Sequence, residues 1–364
     1  MTAGAWDDNA NFDFYAVYLA TTMSSQIQGL PIIDRTGRVV VQVQTPTGEP
    51  VAGAQVQVAD GAGHVFTSTT GGEGRVLYFP VWNGVAIGSP IGIQATLAND
   101  VAEQATVAEA GVVTLTLGQT ARPEIGALDL AFVIDTTGSM GDELSYLQRE
   151  LDTIVGAITT QFSGLMQRLA LIVYRDVGDQ YVLRTFDFTT DLATFRGQLA
   201  AQSAGGGGDM PEAVDQALAA VGQLSWQPGT AARVAFWIAD APHHAGREQE
   251  VVSALKTAVG QAVHLYPIAA SGIDELAEFT MRTAAEVTGG RYLFLTDDSG
   301  IGNAHAEPHI PCYYVTSLES AIRRMVFTEL SGSYIAPPSS EIIRTSGNPE
   351  GQQCDLSGTV FTVW

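Results

Sequence analysis

Apolar positions in this chain follow two periods, and the change between them falls near residue 120. From Arg38 to Gln119 apolar and polar residues alternate, the period of half-buried strands. The runs are Val39 to Thr45, Ala54 to Ala59, His64 to Thr69, Arg75 to Val81, Ile91 to Leu97 and Val112 to Leu117. Turn residues separate them at Pro46-Thr47-Gly48, Asp60-Gly61 and Gly71-Gly72-Glu73-Gly74. Short strands so spaced predict a small antiparallel sandwich over 37–119. Residues 120–126, TARPEIG, read as a linker.

Beyond the linker, apolar strands alternate with helical patterns. Strands are predicted at Leu128 to Ile134, Leu169 to Tyr174, Arg233 to Ile238, Val263 to Ala269 and Arg291 to Leu295. Helices are predicted at Gly141 to Ile158, Asp191 to Gln202, Pro211 to Leu224, Glu248 to Gly260 and Asp274 to Thr288, with Ser317 to Glu329 closing the unit. In the first helix Leu144, Leu147, Leu151, Ile154, Val155 and Ile158 recur at three and four. Pro211 suits a first helical position and Gly289-Gly290 a helix stop. This alternation predicts a doubly wound α/β fold with a mainly parallel central sheet over 127–331.

Residues 1–36 show no strong period, apart from helical spacing in Asn11 to Thr22 that predicts a short packing helix. Residues 332–364 are a Pro/Ser-broken tail whose final Thr359 to Trp364 reads as a strand able to pair back on a domain.

Composition narrows the functional classes. The 364 residues, 46% of them hydrophobic, are enough for two or three domains with real cores. A net charge of -22 argues against nucleic acid, since nothing replaces the counterions released from phosphates, and against anionic lipid. Lys256 is the only lysine and stands in a helical pattern, so a Gly-Lys-Ser/Thr phosphate loop is excluded and Schiff-base chemistry poorly supported. No apolar run is long enough to span a bilayer. Cys312 and Cys354 are a candidate disulfide pair, with free buried thiols the alternative.

The stretch that concentrates chemistry is Leu128 to Gly141, LDLAFVIDTTGSMG. An apolar strand delivers Asp135 to its end, and Thr137 and Ser139 alternate after it, so three oxygens can converge. Carboxylate and hydroxyl oxygens without nitrogen or sulfur suit a small hard cation, Mg2+ first, with Mn2+ or Ca2+ as alternatives. Two further loops leave strand ends with oxygens: Gly205 to Glu212, and Asp240 after Val234 to Ala239. In open α/β sheets ligands gather at that edge.

With these residues, 126–331 resembles a von Willebrand factor A domain, and Asp135-Thr136-Thr137-Gly138-Ser139 resembles its metal-ion-dependent adhesion site loop. The YRD, GGD-x-PEA and DAP segments narrow the likeness to bacterial A-domain proteins. The resemblance implies that Thr137 and Ser139 ligate the cation, Asp135 acts directly or through water, and Asp240 holds a coordinated water. It also implies metal-bridged recognition of a protein partner's Asp or Glu carboxylate. The second loop departs from the family's commonest form: Gly206-Gly207-Gly208-Asp209-Met210-Pro211-Glu212 lacks the usual threonine. Its Asp-x-Pro-Glu wording is similar to integrin β-subunit domains, which implies Glu212 as the ligand. Asp209 competes for that role, or caps the following helix. Asp142 and Glu143 match the acids that hold an adjacent ion in integrin β domains, although acids in a first helical turn also complement the helix dipole without metal. GEPVAGAQVQVAD followed by GGEGRVLYFP resembles the carboxypeptidase regulatory-like module, implying a Greek-key sandwich that serves as spacer or contact unit.

Other candidates are weaker. Arg175, Asp176 and Asp179 (YRDVGD) predict a structural Arg-Asp pair beside the site. Asp297, Asp298 and Asn303, or His305 with His309, complete no known ligand spacing. The reading is therefore a non-enzymatic adhesion or interaction protein. One rival is a metal-dependent hydrolase using Ser139 with His243 or His244, though Thr-Gly-Ser-Met-Gly misses the nucleophile elbow. The other is an accessory subunit of an ATP-driven metal-insertion complex. An extracytoplasmic location is expected, periplasmic, cell-surface or secreted, with a signal or lipid-anchor segment preceding the sequence and the cytoplasm as the alternative.

Overall fold

The computed structural model describes residues 1–162, 164–300, 305 and 308–364. In chain order, β1 (Thr2–Trp6) and α1 (Phe12–Met23) are followed by seven strands: β2 (Val39–Gln44), β3 (Gln55–Asp60), β4 (Val65–Thr69), β5 (Arg75–Tyr78), β6 (Pro90–Leu97), β7 (Asp100–Val107) and β8 (Gly111–Thr116). The α/β unit then runs β9 (Ala127–Asp135), α2 (Gly141–Gln161), β10 (Met166–Tyr174), β11 (Leu183–Thr189), α3 (Leu192–Ala200), α4 (Val214–Val221), β12 (Ala231–Ala239), α5 (Glu248–Gly260), β13 (His264–Ala269), α6 (Glu275–Thr288), β14 (Tyr292–Thr296), β15 (Tyr313–Ser317) and α7 (Leu318–Ser331). β16 (Arg344–Ser346), β17 (Pro349–Glu350), β18 (Gln353–Leu356) and β19 (Thr359–Thr362) end the chain.

The central sheet has nine strands in the order β11-β10-β9-β12-β13-β14-β1-β15-β16. Its middle is parallel: β9 pairs with β10 and β12, β12 with β13, and β13 with β14. Successive residues go to opposite faces, as strand geometry requires. Ala131 and Val133 of β9, with Trp237 of β12, pack under α4, α5 and α6, whereas Phe132, Ile134 and Phe236 pack under α2, α3 and α7. Burial on both faces explains why β9 reads as a continuous apolar run. α6 is capped by Asp274, whose side chain accepts from Ala277 N at 2.7 Å, and stops at left-handed Gly289.

The N-terminal segment holds a strand as well as the expected packing helix. The helix is present as α1, but Thr2–Trp6 is inserted in the sheet, antiparallel to both β14 and β15. All five residues are buried, so there is no alternation to read, and Gly4 is required because a Cβ there would run into the Phe294 and Tyr313 rings. The tail folds back through β16 on β15 and the sheet β17-β18-β19, and a disulfide joins Cys312 to Cys354.

Residues 37–119 form two small sheets, β5-β2-β8 and β4-β3-β6-β7, around a shared valine-rich core. The pairing is not wholly antiparallel, because β2 and β8 run parallel across the whole length of the module. The module is seated on the end of the central sheet where its parallel strands begin. Ser68 Oγ donates to Val259 O at 2.6 Å, Lys256 Nζ to Trp82 O at 3.0 Å, and Arg122 Nη2 to both Gly72 O and Leu330 O. Arg291, fully buried, is paired with Glu73 of the module at 2.8 Å and with Asp7 at 3.0 Å. The opposite, carboxyl end of the parallel strands is left open.

Candidate metal centre

At that open end β9 delivers Asp135, fully buried, and the chain turns sharply. Thr137 folds back on it: its backbone N–H and its hydroxyl both donate to Asp135 Oδ1, at 2.8 and 2.7 Å. Thr137 Oγ1 lies 3.4 Å from Ser139 Oγ, and a single turn at Gly138–Met140 leads into α2. Thr136 points the other way, its hydroxyl within hydrogen-bond distance of Tyr174 O and the Tyr181 hydroxyl. Alternation after the strand thus separates site residues from anchoring ones.

The second loop is laid against the first. Gly205 N donates to Thr136 O and Gly138 N to Gly206 O. Gly206 and Gly207 both have positive φ, and a Cβ on Gly207 would stand 3.0 Å from both Glu212 Oε1 and Thr137 Cβ, so glycine lets the two loops close on each other. Asp179 holds this run from below by accepting from Gly207 N at 3.0 Å.

The expected helix at Pro211 starts only at Val214. Glu212 stays extended because its N–H donates to Pro242 O at 2.9 Å, bridging to the third loop at His243. That pairing buries its carboxylate in the site. Asp209 is exposed at the mouth of the same cleft and is not a cap, since Ala213 occupies that position.

Asp240 follows β12 and is buried beside Ser139. Asp142 and Glu143 diverge. Asp142 is exposed, whereas Glu143 is buried and accepts from Ser271 Oγ at 2.9 Å. Ser271 and Gly272, which line the cleft from the β13–α6 loop, escaped the sequence reading. The rule that ligands gather at strand ends could have flagged them, since that loop leaves the same sheet edge.

The expected Arg-Asp pair does not form. Arg175 Nη2 instead donates to Ser203 O at 2.6 Å and its guanidinium lies over Tyr181, while Asp176 takes His244 Nε2 at 2.5 Å. His243 is buried against Gly29 O. Asp297 is hydrogen-bonded to His305, Asp298 is paired with Arg344, and His309 is paired with Glu278, while Asn303 lies outside the described residues.

Electrostatically the cleft holds more negative charge than the protein satisfies. Asp135 Oδ2, Glu212 Oε2, Asp240 Oδ1 and Glu143 Oε2 are buried without a hydrogen-bond partner. Burial pushes Asp135 up to about 7, opposed by the bonds from Thr137 and reinforced by Asp240. Burial, followed by the charges of Asp135, Asp176, Asp179 and Asp240, pushes Glu212 up to about 9. Asp240 is raised by burial and by Glu143, against a hydrogen bond with Ser139. Orphaned carboxylate oxygens of this kind fit a hard divalent cation. Among the described residues no three His, Cys, Asp or Glu side chains group as a metal cluster by themselves, so any cation held here would need the two hydroxyls as well.

Residues 129–271 match the family model of the von Willebrand factor A domain. The α/β unit is a von Willebrand factor A domain. Such domains are generally protein-interaction modules. Two curated relatives each match about a third of this chain. An ariadne-like RING finger protein of Acanthamoeba polyphaga mimivirus is 34% identical over 117 residues, which are 32% of this chain and 11% of that protein. The alpha-protein kinase vwkA of Dictyostelium discoideum is 30% identical over 118 residues, 32% of this chain and 19% of that protein. The chain therefore spans less than a fifth of these relatives. Among solved structures, the conserved hypothetical protein BatB from Bacteroides thetaiotaomicron aligns with 47% of this chain and 93% of its own, at 14% identity and a TM-score of 0.35, a likeness too loose to bear on function. No helix among the described residues is long and apolar enough to cross a membrane.

Proposed function

We propose that this protein is a non-enzymatic binding protein whose A domain holds a divalent cation and uses it to grip a carboxylate of a protein partner. The observation that carries this reading is the set of unpartnered buried oxygens on Asp135, Glu212 and Asp240 beside the hydroxyls of Thr137 and Ser139. Thr137 and Ser139 would hold the cation directly, with Asp135, Asp240 and Glu212 as the carboxylates around it. Mg2+ suits the all-oxygen set, and the cation would supply a coordination position for a partner's Asp or Glu. Asp135 keeps Thr137 oriented by taking both of its donors on one oxygen. Gly206, Gly207 and Gly208 add no side chains to their part of the cleft wall, so a partner's backbone can approach along them.

Hydrolysis is the less supported alternative. The two histidines that a Ser139 nucleophile would need are engaged elsewhere, His243 with Gly29 O and His244 with Asp176. The module at 37–119 would serve as stalk or second contact surface. An extracytoplasmic location fits the buried Cys312–Cys354 bond, because such bonds persist in oxidising compartments.

The test is capture of short Asp- or Glu-containing peptides on immobilised protein, in Mg2+ and in chelator. Binding that needs both the peptide carboxylate and the cation is expected. Capture that survives chelation would move the interface off the metal centre.

A further inference from the structure

Between α7 and the C-terminal tail the chain buries a cationic side chain without giving it a counter-ion. Arg324, on the buried face of α7, is 3% exposed. Its Nη2 reaches Thr316 Oγ1 of β15 at 3.4 Å, whereas its Nε and Nη1 have no hydrogen-bond partner among the described residues. The carboxylates around it are committed elsewhere, Glu341 to Ser320 and Arg323, and Glu329 to His264 and Tyr266. Burial pulls the guanidinium down to about 10, opposed by the charges of Tyr334 and Glu341 and reinforced by that of Arg323. A buried charge that no partner offsets is costly to a fold.

The unpaired groups near it are of one kind. Thr328 stands one turn further along the same face of α7, 1% exposed, with its hydroxyl unpaired. Tyr334, whose charge acts on Arg324 from the tail, also has an unpaired buried hydroxyl. Its ring lies edge-on to Trp364 at 4.7 Å, and the indole N–H of Trp364 is unpaired as well. A guanidinium and an indole N–H can only donate, and the two hydroxyls can turn to donate. This is the reverse of the carboxylate-lined cleft at Asp135, and none of these residues lines that cleft.

We propose that this donor set between α7 and the tail binds a small inorganic anion, chloride first, which acts as the counter-ion of Arg324. One guanidinium calls for one negative charge. Arg324, Thr328 and Trp364 are each 3% exposed or less, so the site admits a monatomic ion and not a peptide carboxylate or a phosphate ester. Because Tyr334 and Trp364 belong to the tail, the anion ties the tail to the A domain. The inference stands apart from the cation reading and does not need a metal.

The test melts the full chain at constant ionic strength while sodium gluconate, whose anion is too large for the site, is replaced by sodium chloride. The melting temperature should climb by about 2–4 °C and level off, as saturation of a site requires. Arg324→Met, which removes the charge and keeps an unbranched side chain, should lose the saturating climb. Tyr334→Phe, which keeps the ring against Trp364, should move its midpoint to higher chloride. Crystals soaked in bromide should show an anomalous peak within hydrogen-bond reach of Arg324. If Arg324→Met does not fold, Tyr334→Phe and the bromide peak decide. A flat or non-saturating response of the native protein, an equal climb in Arg324→Met, or a bromide soak with no peak at Arg324 would overturn the proposal.

Discussion

Asp135 and Glu212, on loops far apart in the chain, each keep one buried oxygen without a partner, and the charge of Asp135 helps to push the Glu212 carboxyl up to about 9. In the unfolded chain both groups ionise near 4. Between that value and the folded ones, about 7 for Asp135 and about 9 for Glu212, the native state holds protons that the unfolded state has lost. Stability must therefore fall as pH rises through this window. The melting temperature of metal-free protein should decline from pH 5 to pH 9, and saturating Mg2+ should flatten the decline. Mg2+ binding at pH 7 should release protons, measurable as buffer-dependent heat. A melting temperature that rises across the window in metal-free protein would contradict this account of the two carboxyls.

Gly207 packs against Thr137 of the first loop. Gly207→Ala puts a methyl 3.0 Å from Glu212 Oε1 and Thr137 Cβ at a φ of 71°. It should cost about 1 kcal/mol in backbone strain and lower Mg2+ affinity by spreading Thr137 from Glu212. Gly208→Ala, with no positive φ and nothing near its Cβ position, serves as the control in the same titration.

The disulfide staples the tail across the N-terminal strand. Phe361 packs on Trp6 and Phe14, and Trp364 lies edge-on to Tyr334 and over Arg291. Replacing both cysteines by serine should cost about 2–4 kcal/mol, read by denaturant unfolding. Tryptophan emission should shift to the red at lower denaturant than in the native protein.

Arg291 joins three parts of the chain by pairing with Asp7 and Glu73 while fully buried. Arg291→Met takes the ion-pair partner from buried Asp7, while Glu73 keeps Arg75 at 2.8 Å, and should cost about 3–5 kcal/mol. Adding Asp7→Asn should recover part of that loss, because the stranded charge is then gone.

The parallel core was legible because burial on both faces makes β9, β10 and β12 continuous apolar runs, and because α2 carries a clear stripe of Leu144, Leu147, Leu151 and Ile154. What escaped was decided by partners distant in sequence. The segment Thr2 to Trp6 has five residues and no period, and only the Phe294 and Tyr313 rings explain its glycine. β7, with most of its residues exposed on the edge of its sheet, offered no apolar signal, and β11, also an edge strand, went unassigned. In the site, the loop from Asp135 to Ser139 could be read from its spacing. The late start of α4 could not, since it depends on the bond from Glu212 N to Pro242 O. Nor could the divergence of Asp142 from Glu143, which depends on Ser271.

The central claim is that Asp135, Thr137, Ser139, Glu212 and Asp240 together hold one divalent cation, and Mn2+ titration followed by electron paramagnetic resonance tests it most directly. One bound Mn2+ per chain, displaced by Mg2+ and lost in Asp135→Ala while that variant remains folded by circular dichroism, is the predicted result. Equal Mn2+ uptake by the native protein and Asp135→Ala, or none by either, would contradict it.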